Sequence, residues 1–298
     1  MLERAFIDDT SRKSTYPNAL WEYELDGLVL TAHLFKNNTF SPTVRAIYGE
    51  LAYLSSDKGQ YVSAENQKSS IYLLQMETSL NFGNTEGFLI FDSMQLSNYF
   101  PDWDISRYER SGDIVSLGTA DINLIHLQFN DIANSGLDFY TSYASTSFQS
   151  NGNRIQYELT DTSTSNKPST FCAGIGQSYD CSHETAEIEL SGKSVNMGIR
   201  YQIPIDTLSN PKIGIEYHEA TDNYFKPDYY SEYNNYELVF QNVIGRSGHL
   251  YWIQSLDKST FLRLGMYSTE TSDSLKSFPG IASTQDFQDI YLLINTRF

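Results

Sequence analysis

The chain has 298 residues with 37 acidic and 20 basic side chains, and its net charge of −17 argues against nucleic-acid binding, which needs clustered Lys and Arg. No apolar run reaches the roughly 20 residues that a membrane-spanning helix requires, although a mean hydropathy of −0.40 is compatible with strands whose alternate residues meet lipid. The 22 Tyr and 17 Phe residues favour strands and turns over helices.

Residues 1–19 are polar and irregular, and we expect them to form a loop. Residues 1–9 have no basic start followed by an apolar core, so they do not match a secretory signal peptide. Two interpretations follow: the protein is cytoplasmic, or the sequence lacks the natural amino-terminus.

Alternation of apolar and polar side chains predicts eleven strands in the rest of the chain. The clearest alternation is in residues 70–82. The facing of residues 114–129 is ambiguous, which suggests a bulge, and residues 154–159 and 186–190 suggest a small hairpin. The predicted strands are residues 26–35, 44–53, 70–82, 87–96, 114–129, 137–148, 195–203, 212–218, 249–256, 261–271 and 289–298.

Short and long connections alternate along the chain. The short turns lie near residues 36, 83, 130, 204 and 257, and the long polar segments lie near residues 55, 98, 149, 221 and 272. A soluble sandwich has no reason to gather its long loops at one end, whereas outer-membrane barrels have short periplasmic turns and long external loops. The predicted fold class is therefore all-β, an antiparallel up-and-down transmembrane β-barrel that forms one domain over residues 1–298.

The number of predicted strands indicates whether the predicted barrel is complete. Bacterial single-chain barrels have an even number of strands with both termini on the periplasmic side. Eleven is odd, so we expect the barrel to be incomplete at its N-terminus and the sequence to be the carboxy-terminal portion of a longer barrel. The number of missing strands is left open.

Two cysteines, Cys172 and Cys181, lie in the longest interruption, residues 149–192, which we expect to be an external loop. A close pair across a Gly-rich segment predicts a small disulfide ring and therefore an oxidising compartment. A zinc half-site with His183 is the alternative, although no further Cys or His lies at ligand spacing. We predict no metal and no cofactor.

A polar register lines the predicted interior, and its members are candidates to line a pore. They are Glu77, Arg200, Lys212, Glu216, Arg263, Asn295 and Arg297. We expect Gly198, Gly214 and Gly265 to leave room beside them. Since a barrel of about sixteen strands encloses a water-filled channel, the predicted function is passive diffusion of small hydrophilic solutes.

Three of these residues, Arg200, Arg263 and Arg297, fall on nearby strands. Such a cluster can form a constriction that favours anionic solutes. Alternatively, the arginines pair with Glu216, Asp289 and other interior acids. Aromatic residues near strand ends suit interfacial girdles, although simple β-propensity also explains them. They include Tyr53, Phe82, Phe148 and Tyr267.

Two rival functions remain open. An outer-membrane barrel enzyme of the lipase or protease type would need a His paired with a nucleophile, and no such pairing is recognised, so we predict no catalytic residue. A secreted β-rich binding or adhesion module would pack its apolar face against a second sheet. In such a module the following residues would be packed against the second sheet rather than exposed: Leu74, Leu80, Ile199, Ile213, Leu262 and Ile294.

The last ten residues resemble the terminal strand of Gram-negative outer-membrane barrels, whose alternating apolar positions and final Phe form an assembly signal. The matching positions are Ile290, Leu292, Ile294 and Phe298. The last third of the chain is also similar to an uncharacterised porin-like family of bacterial outer-membrane proteins. Residues 214–217, 249–254, 260–267 and 289–298 carry this resemblance.

The resemblance implies a pore-forming barrel in the bacterial outer membrane. Its expected partners are outer-membrane lipid, the barrel-assembly machinery and small hydrophilic solutes, and it gives no particular substrate. An oligomer is possible, but no interface can be recognised in the sequence.

Overall fold

The computed structural model describes one large β-sheet and part of its connections. The described residues are 26–37, 39–51, 54–55, 60–61, 69–99, 108–111, 116, 118–153, 155–159, 170–174, 177–179, 189–221, 224, 245–257, 260–271 and 287–296. The strands are β1 (Asp26–His33), β2 (Phe40–Leu51), β3 (Leu54–Ser55), β4 (Gln60–Tyr61), β5 (Ser69–Phe82), β6 (Thr85–Tyr99), β7 (Tyr108–Ser111), β8 (Gly118–Asn130), β9 (Leu137–Ser150), β10 (Ile155–Leu159), β11 (Thr170–Gly174), β12 (Gln177–Tyr179), β13 (Glu189–Gln202), β14 (Lys212–Ala220), β15 (Gly245–Ser255), β16 (Thr260–Thr271) and β17 (Phe287–Thr296).

Eleven of these strands form one antiparallel sheet, in the order β1-β2-β5-β6-β8-β9-β13-β14-β15-β16-β17. Each strand pairs with the next large strand along the chain, so the topology is up-and-down. This confirms the predicted all-β class and the eleven strands. Within the described residues, β1 and β17 are the two edges, and each pairs with a single neighbour. Because successive strands alternate in direction, the two edge strands run the same way.

The connections alternate in length as predicted. At one end of the sheet they are residues 34–39, 83–84, 131–136, 203–211 and 256–259. At the other end they are residues 52–68, 100–117, 151–188, 221–244 and 272–286. The shortest connection holds only Gly83 and Asn84, and Gly83 has a φ of 65°, which a residue without a Cβ adopts readily.

The turn between β8 and β9 is stabilised by carboxylates. Asp131 lies in the left-handed region with a φ of 44°, and its Oδ1 accepts a hydrogen bond from the N–H of Gly136 at 2.7 Å. Asp138 in turn accepts one from the N–H of Asp131 at 2.9 Å. Carboxylate acceptors suit such turns because they satisfy N–H groups that the ladder leaves without a strand partner.

Two details of the sequence prediction were wrong. The ambiguous strand begins at Gly118, and the irregularity in pairing lies in its neighbour, between Leu96 and Tyr99 of β6. The expected hairpin does not form, because β10 pairs with β11 and β7, while Glu189 and Leu190 belong to β13. The sheet β12-β11-β10-β7 instead joins the connections 100–117 and 151–188.

The two faces of the large sheet differ in polarity. One face, the buried face, carries apolar side chains on β5, β6, β8 and β9, among them Ile71, Leu96 and Phe148, and many polar side chains on β13 to β16. The other, the exposed face, carries large apolar side chains on every strand. One from each strand is Leu28, Tyr48, Leu74, Phe91, Ile125, Tyr143, Ile199, Ile215, Leu250, Leu264 and Leu292. On β13 to β16 this arrangement reverses the polarity of a soluble sheet.

Tyrosine rings cover three glycines on the buried face. A Cβ on Gly198 would overlap the ring of Tyr140, and one on Gly214 would overlap the ring of Tyr251. Tyr291 covers Gly265 in the same way. Each ring belongs to the residue directly opposite its glycine on the neighbouring strand. The prediction that Gly198, Gly214 and Gly265 leave open space was therefore wrong, because the rings fill it.

We predict that Gly198→Ala lowers the free energy of unfolding by about 1–3 kcal/mol, because the methyl group displaces the Tyr140 ring from a packed site. Denaturant unfolding followed by circular dichroism measures this effect. Gly248→Ala is the matched control, since a Cβ there meets nothing within 4 Å. Equal stability of the two variants would contradict the packing of Tyr140 over Gly198.

Candidate functional site

The polar part of the buried face contains a row of hydrogen-bonding side chains from six consecutive strands. The polar row consists of His126, Ser142, Asn196, His218, Ser247 and Thr269, which lie opposite one another in the ladder. All six are buried. His126 Nδ1 and Ser142 Oγ share a hydrogen bond of 2.8 Å, and His218 Nδ1 donates to Asn196 Oδ1 at 2.8 Å.

A second cluster centres on His249 of β15. Its Nδ1 lies 3.4 Å from Oε2 of Glu216, and its Nε2 lies 2.7 Å from the hydroxyl of Tyr291. In the neutral imidazole, Nδ1 donates to the carboxylate and Nε2 accepts from the hydroxyl, so both contacts are satisfied by one tautomer. Glu216 and His249 are buried, and the cluster therefore holds a carboxylate on the buried face of the sheet.

Arg263 of β16 lies against the same cluster. Its guanidinium carbon is 4.7 Å from the ring centre of Tyr251 and 5.5 Å from that of Tyr291. Its Nη2 lies 3.4 Å from Nε2 of His249. A guanidinium over two aromatic faces is held by cation–π attraction, and the side chain is only 2% exposed.

A buried ion pair lies nearer the short connections. Arg200 of β13 donates from Nε at 2.8 Å and from Nη2 at 2.7 Å to Oδ2 of Asp138 on β9. Lys212 Nζ is 3.9 Å from the same oxygen. Two cationic side chains therefore lie against one carboxylate.

The structure brings together five of the seven residues predicted to line a pore. Glu77, Arg200, Lys212, Glu216 and Arg263 lie on the buried face, and Glu77 accepts a hydrogen bond from Arg45 at 2.7 Å. The side chain of Asn295 and all of Arg297 lie outside the described residues. Pore lining itself stays a prediction.

The sequence did not single out Asp138 or His249. Arg200 pairs with Asp138, which is one of the other interior acids of the alternative prediction, and His249 contacts both Glu216 and Tyr291. The alternation of polar residues in the sequence indicated which side chains share the buried face. The pairing of strands, however, decides which of these side chains lie opposite one another. The described part of this face is packed, since most of its polar side chains are buried from bulk water. A wide channel does not follow from it.

Of the four residues predicted to form an aromatic girdle, the structure shows one, Phe82, on the exposed face. Phe82 is exposed, and its ring lies 6.3 Å from that of Phe40 and 6.4 Å from that of Phe129. Leu80, one of the residues that would distinguish a two-layer sandwich, is buried in the same area. It lies opposite Phe40 and Gly87 in the sheet, and the ring of Phe129 covers Gly87. Phe148 and Tyr267 were wrongly predicted as girdle residues, because both lie on the buried face. Tyr53 lies outside the described residues.

The residues that distinguish a two-layer sandwich are mostly exposed. Leu74, Ile199, Ile213 and Ile294 have exposed fractions of 50%, 49%, 39% and 61%, and Leu262 is half-buried. Among the residues that the structure describes, no helix is long and apolar enough to cross a membrane.

Several predictions fall on residues that the structure does not describe. The backbone of Cys172 lies in β11, but its side chain and Cys181 are outside the described residues, so the disulfide stays a prediction. Phe298 of the predicted assembly signal is also outside them, whereas Ile290, Leu292 and Ile294 are exposed.

No family model matches the chain, and no curated protein matches it either. The resemblance to porin-like outer-membrane proteins therefore depends on the sequence features alone.

We predict that Asp138→Ala lowers the free energy of unfolding by about 3–5 kcal/mol, because it leaves Arg200 buried without its carboxylate. Denaturant unfolding measures this loss, and adding Arg200→Met should recover part of it. The matched control is Glu219→Ala, which breaks the exposed Arg246–Glu219 pair of 3.2 Å and should lower the stability far less, because water screens an exposed pair. Similar losses for the two pairs would contradict the account of the buried cluster.

Proposed function

We propose that the protein spans a bacterial outer membrane through its large sheet and forms a narrow pore for small hydrophilic solutes. The proposal rests on one observation: each of the eleven strands contributes an exposed apolar side chain to the same face of the sheet. Continuous apolar surface of this extent is unfavourable in water and favourable against hydrocarbon. Polar side chains of the buried face would then line the passage.

The course of the apolar side chains supports strands that are tilted to a membrane plane. On β16, Met266 is the last exposed apolar residue before the polar Ser268 and Glu270. The residues paired with one another across the sheet lead from Met266 to Leu80 on β5. The exposed apolar residues of β5 extend beyond Leu80, as far as Tyr72. The intermediate residues are Leu250, Ile215, Ile199, Phe139, Phe129 and Gly87. The apolar band thus crosses the strands obliquely, as in membrane barrels, whose strands tilt by roughly 35–45°.

Strand length and connections agree with this proposal. A tilted strand needs about 9–11 residues to cross the hydrocarbon layer, and β5, β9 and β13 have 14 residues each. Short connections at one end and long ones at the other match periplasmic and external sides. In hydrocarbon every backbone polar group needs a partner, so the proposal requires β1 and β17 to be paired as well.

The packing of the buried face argues against a wide pore. Arg263, Tyr251 and Tyr291 fill space between β15 and β17, and the polar row is buried. A non-conducting membrane barrel is the second candidate, favoured by the same packing. Conductance separates the two.

We predict that Ile215→Lys weakens membrane insertion, because a charge on a lipid-facing strand costs about 2–4 kcal/mol near the bilayer centre. Vesicle flotation and denaturant unfolding in lipid measure the loss. Ile215 is 58% exposed, so in a water-soluble protein the same substitution would change stability little. Thr207→Lys, at an exposed site in the connection after β13, is the control and should insert normally.

We predict that the full protein in planar bilayers conducts ions and that Arg263→Gln shifts its selectivity toward cations, because a positive charge is removed from the passage. Reversal potentials in asymmetric salt measure the selectivity. Arg246→Gln is the matched control, since Arg246 is exposed on the other face and its loss should leave selectivity unchanged. Insertion without conductance would favour the second candidate.

A further inference from the structure

A groove of about 620 Å³ lies on the exposed face over β1, β2, β5, β6 and β8. Its walls differ in chemistry. Leu30 and Leu74 contribute apolar side chains on one side, together with Tyr48 and Tyr72, whose ring centres are 5.1 Å apart. Such a wall suits a hydrocarbon chain, because it offers apolar contact along neighbouring strands.

The opposite wall of the groove is polar. Gln95 donates a hydrogen bond of 2.9 Å to Oδ1 of Asp121, and Ser93 donates one of 2.9 Å to Oδ1 of Asn123. Within the described residues, the other carboxylate oxygen, Oδ2 of Asp121, accepts no hydrogen bond. Among the residues that line the groove, Asp121 is also the one acidic residue, and none is basic. The polar wall therefore presents a carboxylate oxygen with no cation beside it.

The groove lies at a step in the apolar band. Tyr72 and Leu74 of β5 pair with Gln95 and Ser93 of β6, so apolar and polar side chains meet directly at this place. The step is near the end of the sheet with the long connections, since β5 begins at Ser69. A ligand there has its chain against β2 and β5 and its polar group against β6 and β8.

We infer that the groove binds one membrane lipid whose headgroup carries a hydrogen-bonding ammonium, as in phosphatidylethanolamine. The inference rests on the proposed membrane insertion. The ammonium donates to Oδ2 of Asp121, while the acyl chain lies along Leu74 and the two tyrosines. Charge selects this class of lipid, because an anionic headgroup would meet a carboxylate with no neighbouring Lys or Arg in the groove.

Native mass spectrometry of the protein in detergent tests this inference, with phosphatidylethanolamine and phosphatidylglycerol of identical chains as probes. We expect one bound phosphatidylethanolamine, retained about fivefold better than phosphatidylglycerol, as for a partly exposed ion pair. Asp121→Asn keeps an acceptor for Gln95 and should abolish the preference between the two lipids. Leu74→Ala should lower the retention of both.

Glu219→Gln is the matched control, because it removes a carboxylate from the exposed face outside the groove and should keep the preference. Vesicle flotation tests insertion separately, and a chain that does not float with either lipid overturns both proposals. A chain that floats but binds the two lipids equally overturns the inference about the groove alone. Lipid-free dimers would also overturn it, because a second copy would then cover the groove.

Discussion

The register of the antiparallel ladder determines the rest of the structure. Each of the large strands is held opposite its neighbour by backbone hydrogen bonds, with one irregularity in β6. Because side chains alternate between faces, this register alone lines up the polar row, places Glu216 beside His249 and sets tyrosine rings over glycines. A slip of one residue would turn every one of these side chains to the other face.

The consequence of this register is a sheet whose usual polarity is inverted on β13 to β16. Apolar side chains face outward on all eleven strands, while charged groups such as Arg200 and Glu216 are buried on the other face. Burial of charge is tolerated here because each charge has a close partner: Asp138 for Arg200, His249 for Glu216 and aromatic rings for Arg263. Exposed apolar side chains are favoured by an apolar environment. We propose that a lipid bilayer provides it.

Much of the fold was predictable because alternation is a local property of the sequence. Strand positions, the short and long connections and the face of Arg200, Glu216 and Arg263 follow from it. The partners did not follow, because register depends on turns such as residues 131–136, whose left-handed residues no alternation reveals. One error was avoidable, however: Tyr267 is four residues from Arg263, so the two residues share a face.

The central claim is that lipid contacts the exposed face. Spin-label scanning of β16 in vesicles tests it most directly, after replacement of Cys172 and Cys181 by Ser. Labels at Leu262, Leu264 and Met266 should be accessible to dissolved oxygen and protected from a water-soluble nickel complex, and labels at the positions between them should not show this pattern. Equal access of the nickel complex to all positions along the strand would contradict the account, because the apolar side chains would then face water.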